Sequence, residues 1–285
     1  MITSKELQYV EAWANKIPMP GYDYSMKVFN ELKECYESFK LKYYNKEYNM
    51  IFSNGEEIKL EILDKNLCHM LGIDFSNIRG EYFDNYRKNI LGIESNDFTS
   101  YELLEILLEN ADKVAKYDNS SNSEKVINYY KSGIKCEIFK KLSDFAQFNF
   151  AAINYDPKDG KYEYEKQKLL FVPSNEAVCP YFMMGIRETE NDHNYIVSTL
   201  LAAQEPKKYF KNQEVIIPTQ ILISDNDNLR KLQATPEEKI KLLTMYKNII
   251  NEYRIPNRLN IYGDYESLLN DLSINENQKS KKASI

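Results

Sequence analysis

Apolar positions along the chain change their period four times. Between residues 23 and 48, Met26, Phe29, Leu32, Tyr36 and Phe39 recur at three- and four-residue spacings, which predicts an amphipathic helix. Ahead of it, SKELQYVEAWANK predicts a shorter helix that the two prolines of IPMPG stop. The period then falls to two. Tyr48, Met50 and Phe52 on one side of Asn54-Gly55, and Ile58, Leu60 and Ile62 on the other, alternate with polar neighbours. This predicts a hairpin closed by a type I′ turn, whose two central residues both need positive φ. The next segment, DKNLCHMLGI, places Asp64 to cap a short helix that Gly72 ends.

Helical spacing returns between about 80 and 145. FTSYELLEILLEN carries a hydroxyl cap at Thr99 or Ser100 and apolar residues at 103, 104, 107 and 108. KYDNSSNSEK is a polar break. EKVINYYKSGIKCEIFKKLSDF reads as one long helix, or as a helix and a strand parted at Gly133. Beyond 148 the chain becomes strand-like. FNFAAINYD, KYEYEKQKLLFVP, CPYFMMGIRET, NYIVSTLLAA and NQEVIIPTQILIS are separated by turn residues and predict an antiparallel meander. ATPEEKIKLLTMYKNIINEYR is a helix with Thr235 as cap and Pro236 in its first position. NENQKSKKASI is a polar tail expected to be disordered.

Composition narrows the chemistry. The net charge is -6, from 37 Lys and Arg against 43 Asp and Glu, the wrong sign for non-specific attraction to phosphate. Any nucleic-acid site must be a local basic patch on an acidic body. Four cysteines without a CxxC pair are expected to be small core thiols in a reduced cytoplasm. No apolar run reaches the roughly 20 residues of a membrane span, so no membrane association is expected. Neither histidine has acidic or Cys neighbours at zinc-site spacing, and no metal or cofactor is expected.

His69 is the best general base the chain offers, because an unperturbed imidazole titrates close to neutral pH. The competing explanation is a core histidine satisfied by a carbonyl. His193 lies in the polar turn ETENDHNY and reads as a surface residue.

The N-G hairpin followed by NLCHMLGI resembles the F-x-H-L-x-G signature of phage- and mobile-element-encoded nucleases. These belong to the assemblage that unites barnase, EndoU, colicin-type RNases and RelE toxins. KQKLLFVPSN, YFMMGIRETENDHNYIVSTLL and YFKNQEVIIPTQILIS resemble that family's consecutive strands. The resemblance spans about residues 45 to 225. It implies an α+β fold, with helices packed on an antiparallel sheet of four to five strands.

The domain organisation that follows is an N-terminal helical region (1–45) and a nuclease-like domain (46–225) with a helical insertion at about 80–145. C-terminal helices (226–272) and a tail (273–285) complete it.

The implied activity is metal-independent RNA cleavage by attack of the ribose 2′-OH, with a phage or mobile-element toxin as the setting. By position His69 is the motif histidine, Lys168 (and beside it Lys166) a phosphate ligand, and Ser198 and Thr199 the hydroxyl strand. VSTLL departs from the Pro-x-Ser-Phe-like end expected there. Lys207, Lys208, Tyr209 and Lys211 form a basic patch with interleaved aromatics for RNA, and Arg79 and Arg87 follow the motif. The competing explanation for the lysines at 166 and 168 is an ordinary solvent-facing strand, and only one of Ser198 and Thr199 is expected on each sheet face. The other function class compatible with an acidic chain is a catalytically inactive nuclease-like scaffold that binds a protein partner.

Overall fold

The computed structural model describes residues 3, 4, 6, 20–120, 127–142, 145–155, 167–176, 179–189, 194–203, 209, 215–225 and 228–254. The helix expected from SKELQYVEAWANK and the C-terminal tail lie outside these residues. The first long helix, α1 (Tyr22–Lys42), buries Val28, Phe29, Leu32, Cys35, Tyr36 and Phe39, a stripe at helical spacing. Asn45, at φ 58°, turns the chain into the hairpin of β1 (Lys46–Phe52) and β2 (Glu57–Glu61). The turn is not type I′. Among the described non-glycine residues only Asn45, Phe148 and Arg254 have positive φ, so Asn54 does not, while Gly55 sits at 83°. Phe52 N–H donates to Glu56 O at 2.9 Å, and the loop is the three-residue form with its last residue left-handed.

Three helices follow: α2 (Ser100–Glu109), α3 (Ala111–Ser120) and α4 (Tyr129–Leu142). Thr99, not Ser100, caps α2, in a reciprocal box with Glu102. Gly133 does not end α4, which is helical from Tyr129 to Leu142. The strands β3 (Ala151–Tyr155), β4 (Gln167–Glu176), β5 (Cys179–Glu188) and β6 (Asn194–Ala203) form the first four runs of the expected meander, but the fifth, NQEVIIPTQILIS, pairs with β3 and β1 instead of β6. After them come β7 (Val215–Ile216), β8 (Pro218–Asp225), β9 (Asn228–Gln233) and α5 (Pro236–Tyr253). Thr235 and Glu238 box the start of α5 with Pro236 in the first turn, as its sequence predicts. Residues 228–233, expected in the C-terminal helical region, are a strand hairpinned onto β8.

The α+β class holds, but the sheet is neither four- to five-stranded nor wholly antiparallel. It has nine strands in the order β7-β3-β4-β5-β6-β2-β1-β8-β9. Two antiparallel blocks are joined by a parallel pairing of β2 with β6, Leu60 opposite Tyr195. Period-two alternation identifies each strand but carries no information about this pairing between segments more than 130 residues apart.

Ile217 alone separates β7, at one edge, from β8, beside the other end of the sheet. Ser53 N–H donates to Ile217 O at 2.9 Å, and the rings of Phe52 and Phe150 meet edge to face at 6.4 Å. The sheet therefore curls into a half-barrel. Register places Tyr48, Met50, Leu60, Val197, Ile186 and Met184 on one face, and α4 packs across β4, β5 and β6 there, with the Lys141 ammonium 5.5 Å from the Phe182 ring centre. Tyr181 on the opposite face meets Tyr253 of α5 edge to face at 6.1 Å. The helical stretch read as an insertion supplies the central helix of the core: Tyr129, Ile134, Cys136, Ile138, Phe139 and Leu142 are all buried. All four cysteines are free and buried. None of the described helices is long and apolar enough to cross a membrane.

Candidate functional site

His69 sits on a single short helical turn, Leu67–Met70, that three neighbours hold in place. From α2, the Ser100 hydroxyl accepts from Cys68 N–H at 2.9 Å, and the Cys68 thiol donates to Ser100 O at the same distance. From β6, Val197 O accepts from the Asn66 amide at 3.2 Å. From α4, Lys135 Nζ donates to His69 O at 3.0 Å. Gly72, at φ 81°, ends the turn directly against α4. A Cβ there would lie 3.0 Å from Ser132 Oγ and 3.2 Å from the Ser132 backbone, so this approach requires glycine. An isolated antiparallel bridge between Ile73 and Ile127 then ties the exit of the turn to the chain entering α4.

Leu67, Cys68 and Met70 point into the core, whereas His69 is exposed. The core-histidine explanation is therefore excluded by its position on the turn: one residue in four faces outward, and it is the imidazole. Its pKa is lowered from the ordinary histidine value, first by desolvation among crowding neighbours and then by the positive charges of Lys135 and Lys131; Asp74 opposes them. The ring is neutral at pH 7, the state a general base needs. Cys68 beside it is no nucleophile, since burial pushes its thiol up to about 12.

Lys135 is the residue that sequence reasoning missed. It is 5% exposed and its pKa falls to about 7, mainly through burial and secondarily through Lys131. The missed signal was its context: IKCEIF sets a lysine between Ile134 and Cys136 on a helix whose neighbours at 132 and 139 are inward-facing. Lys131 and Lys135 are four residues apart and so share a face of α4.

The other anticipated residues take separate places. Lys168 is 7% exposed, not solvent-facing; its ammonium pairs with Glu56 at 2.5 Å and lies 5.6 Å from the Tyr195 ring centre. The hairpin turn thus serves to present Glu56 to β4.

Ser198 and Thr199 do come together, through a β-bulge. Gly185 pairs with Thr199 and Ile186 with Val197, leaving Ser198 as the extra residue. The expectation that each sheet face receives one hydroxyl fails here, because both side chains crowd Gly185: Ser198 Oγ donates to Gly185 O at 2.9 Å, and a Cβ on Gly185 would lie 2.9 Å from Thr199 Cγ2.

Arg79 is exposed; its Nε donates to Asn96 O at 3.0 Å and its guanidinium lies 5.6 Å from the Phe75 ring centre. Arg87 is buried, donating to Ile78 O and Gly80 O at 2.6 and 2.7 Å and pairing with Asp84, which makes it a brace for this loop. Tyr209 is half-buried against the hydrophobic core. Lys166, His193, Lys207, Lys208 and Lys211 lie outside the described residues. Among the described residues, no group of three His, Cys, Asp or Glu side chains is arranged to hold a metal ion. The site is thus one exposed neutral imidazole with two lysines on its α4 side. No family model matches this chain, no curated protein matches its sequence, and no solved structure matches its fold.

Proposed function

We propose that the protein is a metal-independent ribonuclease-like effector of the phage or mobile-element type, with His69 as general base. The observation that supports this reading is a surface imidazole kept neutral beside the positive charge of Lys131 and Lys135. The neutral ring nitrogen takes the proton of the ribose 2′-OH, that oxygen attacks the adjacent phosphorus, the P–O5′ bond breaks to leave a 2′,3′-cyclic phosphate, and the departing 5′-oxygen takes a proton from solvent water. Negative charge building on the phosphorus oxygens needs a cation nearby, which the half-buried Lys131 supplies; Lys135, buried and donating to His69 O, does not reach the phosphate. Lys168 and Ser198 carry no step in this reading, because Glu56 and Gly185 O already engage them.

The test is RNA cleavage by the full chain in EDTA. His69→Ala should reduce the rate by about 100-fold or more, the usual worth of a general base. Cleavage that persists in the variant removes His69 from the mechanism. A second reading, an acidic scaffold that binds a basic protein partner, draws support from the net charge of -6 and from the engaged Lys168 and Ser198. Salt-sensitive binding of a basic protein with no RNA turnover would favour it.

A further inference from the structure

We infer that Lys135 is a positioning residue for His69, clasping that residue's carbonyl from inside the core and presenting, with Lys131, positive charge to the imidazole side of the turn. This rests on the reading of His69 as the functional group.

Three observations meet here. The ammonium is 5% exposed, yet no described carboxylate forms an ion pair with it; its hydrogen bond goes to a peptide oxygen, His69 O, at 3.0 Å. A lysine buried in this way is costly, and a merely structural donor to that carbonyl would not need a charge. The carbonyl belongs to the last residues of a helical turn, where the backbone dipole favours a cation. Lys131, half-buried four residues earlier, adds a second charge on the same face.

The surroundings of His69 leave few other charges to act on it. Asp74 follows the turn and draws a proton toward the ring. Asp64 and Lys65 precede it, with Asp64 accepting from Lys65 N–H at 2.6 Å. On α2, Glu102 is closed in the Thr99 box and Glu105 is bonded to Tyr36. On β6, Tyr195 lies beneath the Lys168 ammonium.

Desolvation lowers the His69 pKa first, and the lysines add to it by disfavouring the imidazolium, so His69 stays a base at neutral pH. The chain has only two histidines, so their imidazole protons can be titrated by NMR in the full-length protein, with His193→Gln to assign them. Lys135→Met should move the His69 midpoint upward, toward the ordinary value. Lys135→Arg, which keeps the charge, should move it back down. An unchanged midpoint in Lys135→Met overturns the inference. If that variant does not fold, lysine labelled at Cε decides in the wild type: one resonance should titrate near pH 7, in step with an inflection of the His69 signal. A His69 signal with no inflection in step with any lysine resonance overturns the inference as well.

RNA cleavage in the same samples separates this from the ribonuclease reading. A His69 shift without cleavage keeps the positioning role and removes the activity. Cleavage without the shift does the reverse.

Discussion

Replacing Lys135 by Met should change how stability depends on pH, in a direction and by an amount that burial dictates. In the folded protein the ammonium titrates near 7, against 10.5 for a free lysine. Below pH 7 both states carry the proton, and the folded state bears the whole cost of burying it. Between 7 and 10.5 the unfolded chain binds more protons than the folded one, so stability rises with pH. Above 10.5 the amine is neutral in both states and the cost is gone. A displacement from 10.5 to about 7 corresponds to about 5 kcal/mol in all, and the part recovered between pH 7 and 9 is about 2 kcal/mol.

Methionine has similar length and no charge, so this slope should vanish in the variant. Urea unfolding at intervals from pH 7 to 9 measures it as the difference between the two proteins. His69, with its lowered pKa, contributes a slope of the same sign, but one completed below that window. Cys68 and Cys136, whose thiols burial pushes up, contribute the opposite sign near pH 9, because unfolded thiols ionise first. The cysteine terms are common to both proteins and cancel in the difference, and the change in the His69 term that Lys135→Met brings falls below pH 7, outside the window. A stability gap that stays constant from pH 7 to 9 would refute the account of Lys135 as a buried, unpaired amine.

Two further outcomes follow from the sheet. Gly185→Ala should cost about 1–3 kcal/mol, because the new methyl meets the stiff Thr199 side chain in the bulge, and Thr199→Ser in the same chain should recover most of it; thermal unfolding of the three proteins decides, and a neutral Gly185→Ala refutes the steric account. Glu56→Gln should cost roughly 3 kcal/mol by removing the charge that faces the Lys168 ammonium, 7% exposed, and adding Lys168→Met should restore stability. If Glu56→Gln costs no more than breaking the exposed Asp112–Lys116 pair, the Lys168 pair is not a buried one.

Local pattern alone determined much of this molecule. The amphipathic stripe of α1, the alternating hairpin strands, the Thr99 and Thr235 boxes and the glycine that ends the His69 turn all follow from interactions within a few residues. The same short-range logic singled out His69, since a histidine within NLCHMLGI either faces solvent or is buried with a partner. Which of the two holds was settled by the three elements that orient the turn, and all three lie more than 30 residues away in the chain.

Long-range pairing was invisible for the same reason. The parallel join of β2 to β6, the return of the chain through Ile217 that curls the sheet, and the bulge at Ser198 depend on which edges meet. Lys135 shows the limit most sharply. As a residue type it belongs at a surface, and only the packing of α4 against the His69 turn makes it a buried amine with a peptide oxygen for company. Burial, and with it the charge state of the site, is a property of the assembled layers. It cannot be read from the helix that carries the lysine.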